Sequence, residues 1–188
     1  MRACPVVAAF VLLSIGGAAF AQDWTEFVSK EDLFSTNFPG IPRITQSTYR
    51  SQFGADLPSH VYSASLGPSR FSITVVDYRA IERILTEKAK SCPPGAETCL
   101  GGSNPGSSTG AGYWKVDYAG ALVYATQQFL KRDAALTEFI WTNIDLVEGH
   151  MLHLTNTDKS RTYASIFMHA DRLYIAEATV PAGAPEPG

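Results

Sequence analysis

Two of the four histidines are spaced as an H-x-x-H pair, which makes them the first candidates for metal or acid–base chemistry. On a helix, His150 and His153 would share one face and could ligate a metal ion together. The flanking residues predict a strand instead, and on a strand the two rings point to opposite faces of the sheet. We therefore predict no metal site here. The alternative is a hydrolase in which one of these histidines works with Glu148 or Asp145 as an acid–base pair.

The other candidates for chemistry lack a catalytic context. His60 has no identifiable carboxylate partner, and His169 falls at a predicted hairpin turn. Glu31 and Asp32 follow a lysine at another predicted turn, and we interpret them as a solvated corner. The sequence contains no G-x-S-x-G motif, phosphate-binding loop or dinucleotide fingerprint. It therefore predicts no catalytic residues, no bound metal and no cofactor.

Aromatic residues carry the remaining signal for binding. We predict that Trp24, Tyr113, Trp114 and Trp141 line a groove next to residues 91–112, a segment rich in glycine and serine. Packing in the core and the sheet is the alternative interpretation of these rings. A loop of this length is unusual in a compact domain, and it indicates a mobile or functional segment.

The N-terminal residues 1–21 have the pattern of a cleavable secretory signal peptide. Arg2 precedes an apolar stretch at residues 6–20, and the small-x-small pattern at residues 19–21 predicts cleavage before Gln22. An uncleaved anchor is the alternative interpretation. The sequence therefore predicts an exported protein, either periplasmic or extracellular.

Export changes the interpretation of the two cysteines that cleavage leaves. Cys92 and Cys99 are separated by a turn-prone segment, and in an oxidising compartment we predict that they form a disulfide. A redox pair and half of a metal site are the alternatives. A redox pair is usually two residues apart, and no second cysteine pair exists for zinc.

The charge balance limits the classes of partner. The whole chain has a formal net charge of −3, and removal of the signal peptide removes one further basic residue. Nucleic acids and anionic membranes bind basic surfaces, so we predict neither as a partner. No stretch after the signal peptide is apolar and long enough to span a bilayer.

Hydrophobic periodicity predicts a small α+β domain with two helices near its middle. Alternating apolar residues indicate a strand at residues 71–78, and a narrow apolar stripe then predicts a helix from Ile81. A second helix is predicted from about residue 119 to 132. Residues 136–145 are rich in β-formers, and three strands then close the chain as an antiparallel meander, at residues 146–155, 161–169 and 172–180.

The last predicted strand, residues 172–180, is apolar on both faces apart from Glu177. A strand of this kind is central in its sheet and covered on both sides. The Pro/Gly-rich tail at residues 181–188 offers no cover. We therefore expect that one sheet face lacks its cover, which either a C-terminal helix absent from this sequence or a partner would supply. A homo-oligomer formed through the uncovered face is one such arrangement.

Three segments together resemble the opening of PsbP-like domains: residues 24–27, 33–42 and 71–78. The second contains Phe-Ser-Thr-Asn-Phe-Pro, similar to the strand that begins the central sheet in that group. The resemblance covers most of residues 24–180. It implies an α+β fold in which helices flank a central antiparallel sheet as an α/β/α sandwich, here without its C-terminal helix, and it implies no shared catalytic residues. We thus predict one domain, residues 22–180, that acts as a non-catalytic binding or structural module for a protein or small ligand.

Overall fold

The computed structural model describes residues 24–90 and 113–187 of the chain. The predicted signal peptide, the Cys92–Cys99 pair and the segment 91–112 lie outside the described residues, so these predictions stay predictions. Among the residues that are described, no helix is long and apolar enough to cross a membrane.

The described part of the chain forms nine strands and two helices, so the fold is mostly β. The strands are β1 (Trp24–Ser29), β2 (Phe34–Pro39), β3 (Arg43–Arg50), β4 (Asp56–Leu66), β5 (Ser69–Asp77), β6 (Ala134–Ile144), β7 (Val147–Asn156), β8 (Arg161–His169) and β9 (Arg172–Val180). The helices are α1 (Ile81–Lys90) and α2 (Tyr113–Leu130). The predicted helix from Ile81 is confirmed, and the second helix begins earlier than predicted.

Seven strands form one antiparallel sheet in the order β3-β4-β5-β9-β8-β7-β6, and β1 pairs with β2 in a separate hairpin. The predicted closing meander is confirmed, and β9 is central because it pairs with both β5 and β8. Two-residue turns join β6 to β7 and β8 to β9. Positive φ angles at Asp145 and Leu146, and again at Ala170 and Asp171, are the pattern of type I′ hairpin turns.

The predicted α/β/α sandwich is wrong, because both helices lie on the same face of the sheet. Leu85 of α1 and Phe129 of α2 pack in one core with Val76 and Leu152 of the sheet. Val75 points to the opposite face, where it belongs to a core without helical residues. The layers are therefore two helices, a seven-stranded sheet and a two-stranded hairpin.

The β1–β2 hairpin supplies the cover that we had expected from a C-terminal helix or a partner. Phe38 of β2 is buried with Tyr62 and Phe71, and Tyr174 and Ala178 of β9 pack against the same core. The second apolar face of β9 is thus covered by an early part of the chain. The hairpin packs over β4, β5 and β9, and beyond it the same face of β7 and β8 lines a cavity.

Candidate functional site

A cavity of about 400 Å³ lies on the hairpin side of the sheet, between the β1–β2 hairpin and strands β7 and β8. A second cavity of about 390 Å³ adjoins it and shares five of its lining residues. We call the two cavities together the hairpin-side groove. The residues that line the larger cavity include Trp24, Phe71, His153, Tyr163, Ala176 and Glu186.

A buried polar cluster holds the hairpin against the sheet. The carboxylate of Asp32, in the β1–β2 turn, accepts hydrogen bonds from the Tyr62 hydroxyl at 2.6 Å and from His60 Nδ1 at 2.8 Å. The Ser29 hydroxyl donates to the Tyr62 oxygen at 3.0 Å, and the Tyr174 hydroxyl donates to the Asp32 carbonyl at 2.9 Å. Burial and the bond to Asp32 raise the pKa of Tyr62 to about 12, so this hydroxyl remains a donor at neutral pH.

These contacts correct two interpretations of the sequence. Asp32 is only 7% exposed, so it is not part of a solvated corner, and His60 does have a carboxylate partner. The two residues are 28 positions apart, and no local pattern in the sequence joins them. Ser29 bonds to Tyr62 and accepts the backbone N–H of Asp32, rather than bonding to the histidine. The cluster therefore positions the hairpin, and with it Trp24, and is not arranged as a nucleophile and base.

Trp24 and Phe71 form the near wall of the groove, which is the wall beside the β1–β2 hairpin. Their rings meet edge to face with centroids 4.9 Å apart, and Trp24 is 41% exposed. The small side chains of Ala176 and Ala178 in β9 form part of the floor. Large rings beside small floor residues leave a depression that can hold an apolar segment of a ligand.

His153 and Tyr163 form the far wall of the groove, on strands β7 and β8. Their rings are 4.6 Å apart, and His153 Nδ1 lies 2.8 Å from Glu138 Oε2. Burial raises the pKa of Tyr163, so its hydroxyl is protonated at neutral pH. The ion pair follows from the hairpin register, because a two-residue turn at residues 145 and 146 places Glu138 opposite His153, and this turn was not predicted from the sequence.

The C-terminal tail lies at the boundary between the two cavities. The Tyr163 hydroxyl donates to the Glu186 carboxylate at 3.3 Å, and Arg161 Nη1 lies 3.8 Å from the same oxygen. Arg161 also donates to the carbonyl of Ala184. Glu186 and Pro187 line both cavities, so the tail divides the hairpin-side groove. The segment that we expected to cover nothing therefore contacts the sheet.

The aromatic residues that were predicted to share one groove lie on both sides of the sheet. Trp24 lines the hairpin-side groove, whereas Trp114 packs against the core on the helix side. Trp141 is 68% exposed on β6, and its ring lies 4.4 Å from that of His150 on the helix side. Tyr113 is the first residue of α2. The groove thus contains one of the three tryptophans.

His150 and His153 lie on opposite faces of the sheet, as the strand prediction required. His150 is 3% exposed, and its Nδ1–H donates at 2.7 Å to the hydroxyl of Thr126, which itself donates to the carbonyl of Leu122. Its Nε2 is buried and has no hydrogen-bond partner in the described part of the chain. Burial lowers the pKa of His150, so the ring is neutral at pH 7.

The His–carboxylate pairs suggested by the sequence are replaced by another pair. Within residues 24–90 and 113–187, His153 is bonded to Glu138, and no bond joins either histidine of the H-x-x-H pair to Glu148 or Asp145. The same residues contain no group of three or more His, Cys, Asp or Glu that could hold a metal ion.

Comparisons of the chain with protein-family models, with curated proteins and with solved structures give no match. The resemblance to PsbP-like domains therefore stays a prediction. The functional argument rests on the groove itself and on the residues that line it.

Proposed function

We propose that the protein is an exported, non-catalytic binding module whose hairpin-side groove holds an extended peptide segment that contains proline and a carboxylate. The observation that supports this proposal most directly is the position of the chain's own tail, because Glu186 and Pro187 line both cavities of the groove. Export rests on the signal-peptide pattern of residues 1–21. The net negative charge disfavours nucleic acids as the partner.

The tail indicates the ligand chemistry that suits the groove. Proline-rich segments are extended before they bind, so they lose little conformational entropy, and aromatic-lined grooves commonly accept them. Pro187 lines the same cavities as Trp24 and Phe71. Glu186 has a phenol donor in Tyr163 and a guanidinium beside it in Arg161. Apolar walls and one cationic end thus match a segment with proline and one acidic side chain.

A ligand from another molecule must displace the tail. The tail is covalently attached, so its effective concentration at the groove is on the order of millimolar. A free peptide of similar chemistry competes poorly with such a segment. The shortened chain, without residues 181–188, should therefore bind more tightly than the full mature chain.

The test measures binding of a synthetic peptide with the sequence of residues 181–188 by isothermal titration calorimetry. We expect the chain shortened after Val180 to bind the peptide at least ~10-fold more tightly than the full mature chain, because the competing segment is gone. A peptide with Gln at the position of Glu186 should bind more weakly, since its amide loses the charge attraction of Arg161.

Matched variants locate the binding site. In the shortened chain, Trp24→Ala should abolish most of the binding. Ile44→Ala should not change it, because Ile44 is on edge strand β3 and lines neither cavity. Circular dichroism checks that each variant is folded. Absence of binding to the folded shortened chain would contradict the proposal, as would binding that Trp24→Ala leaves unchanged.

A hydrolase is the second candidate function, and the His153–Glu138 pair is the observation that favours it. The two side chains are 2.8 Å apart at the far wall, and a carboxylate in this position can orient an imidazole as a general base. In the described residues no serine or threonine hydroxyl is bonded to the imidazole of His153, since Thr137 donates to its backbone carbonyl, so water would be the nucleophile. Peptide cleavage that is lost in Glu138→Gln, with unchanged peptide affinity, would favour hydrolysis over binding alone.

A further inference from the structure

We propose that two copies of this chain form a symmetric dimer in which β6 pairs antiparallel with β6. β6 is an edge of the seven-stranded sheet, and its outer side has no strand partner in the described residues. Six large apolar side chains between residues 136 and 146 are exposed, among them Trp141 at 68% and Leu146 at 96%. A long apolar edge of this kind is a template for another strand.

The outward-facing backbone groups of β6 follow from its turn. In a two-residue hairpin the residues that flank the loop, here Ile144 and Val147, form a hydrogen-bonded pair. Backbone groups alternate in direction along a strand, so the N–H and C=O groups of Phe139, Trp141 and Asn143 point away from β7. These groups are placed to form the ladder with a further strand.

A second copy of the chain fits this edge through the same strand. A two-fold axis perpendicular to the sheet pairs β6 antiparallel with its copy and keeps the helices of both copies on one side. In this arrangement β6 is complementary to itself, because Phe139 of each copy meets Trp141 of the other. This self-complementarity favours a second copy as the partner.

Charge and aromatic packing select the register of the pairing. Glu138 is the one charged residue in β6. A pairing centred on Ile140 places Glu138 opposite Thr142, so no like charges face each other. The same register places Phe139 opposite Trp141 twice, and cross-strand aromatic pairs stabilise antiparallel sheets. We therefore assign Ile140 to the two-fold axis.

This assignment predicts where a disulfide can form between copies. Ile140 faces its own copy as a non-hydrogen-bonded pair, with Cα atoms about 4.5 Å apart, which is within the range that a disulfide spans. Thr142 is the matched control, because its copy lies four residues further along the strand, about 13 Å away. Both side chains lie at the exposed edge of the sheet, so neither substitution removes a residue of the core.

The experiment combines light scattering with cross-linking of the mature chain. We expect size-exclusion chromatography with multi-angle light scattering to give twice the chain mass. We also expect Ile140→Cys to give a covalent dimer on a non-reducing gel under mild oxidation, while Thr142→Cys does not. A monomer at all concentrations would overturn the proposal, and so would a larger open-ended assembly. A dimer that cross-links through Thr142→Cys but not Ile140→Cys would overturn the assigned pairing.

Discussion

The two edges of the seven-stranded sheet differ in length, charge and exposed apolar surface. β3, at one edge, has eight residues with Arg43 and Arg50 at its ends, and Ile44 is its one exposed large apolar side chain. β6, at the other edge, has eleven residues, of which Glu138 is the one charged residue. Its exposed side chains are mostly large and apolar, and they continue into the turn at Leu146.

The difference indicates that one edge is protected against pairing and the other is not. Charged side chains on an edge strand discourage another strand, because they would have to give up water when it adds. Arg50 also pairs with Asp56 of the neighbouring strand, at 3.0 Å. β6 has one protective feature, an irregularity between Leu136 and Glu138, but its ladder is regular from there to the turn. β3 therefore has the charged ends that oppose edge pairing, and the regular part of β6 lacks them.

The largest expected effect comes from giving the β6 edge the charge that β3 already has. Trp141→Lys should raise the dimer dissociation constant by at least ~100-fold, because it removes an aromatic anchor and places a cation in the ladder. The matched variant Ile44→Lys on β3 should leave dimerisation unchanged. Analytical ultracentrifugation over a dilution series measures both. Equal effects of the two substitutions would mean that the edges do not differ in the way described here.

The sequence predicted the local elements of this comparison but not the layers around them. The closing meander of β7 to β9 and the helix from Ile81 follow from periodicity and turn residues, which act over a few positions. The cover of β9 did not follow, because it is supplied by Phe34 and Phe38 from the other end of the chain. The resemblance to a helix-flanked sandwich filled that gap incorrectly.

The candidate site was predictable to a still smaller extent. Trp24 was singled out by its residue type. The Glu138–His153 pair depends on a two-residue turn at residues 145 and 146, which was not among the predicted turns. The Asp32–His60 bond could not be predicted, because it depends on how the hairpin lies on the sheet. The role of Glu186 also depends on the path of the tail, and a proline-rich segment has no periodicity from which that path could be predicted.

A smaller effect is expected at the tip of the β6–β7 turn, where one substitution should stabilise the fold and weaken the dimer. Leu146 has a φ of 67° and is almost fully exposed. Leu146→Gly should raise the free energy of unfolding by about 1 kcal/mol, because glycine adopts positive φ without strain. It should also weaken the dimer, since an apolar side chain is lost from the interface.

The β8–β9 turn provides the control for this substitution. Ala170 has a φ of 45° in a similar two-residue turn, away from the β6 edge. Ala170→Gly should also stabilise the fold without any change in dimer affinity. Urea unfolding and ultracentrifugation separate the two effects. A dimer unaffected by Leu146→Gly would place the tip of the turn outside the interface.

The smallest expected effect is a difference in pH dependence between the strands near the two edges. Burial lowers the pKa of His150 in the folded state, so the unfolded chain binds the proton first as the pH falls. The stability associated with neutral His150 is therefore present above its ordinary pKa of about 6.5 and is lost as the pH falls towards the lowered value. On β3, burial raises the pKa of Tyr49, which thus does not titrate between about pH 7.5 and 5.5.

Between about pH 7.5 and 5.5, His150→Gln should flatten the fall in unfolding free energy, and Tyr49→Phe should leave the slope unchanged. Both variants keep the other histidines, so these do not account for a difference between the two slopes. An unchanged slope in His150→Gln would show that this buried ring does not cause the pH dependence of the unfolding free energy.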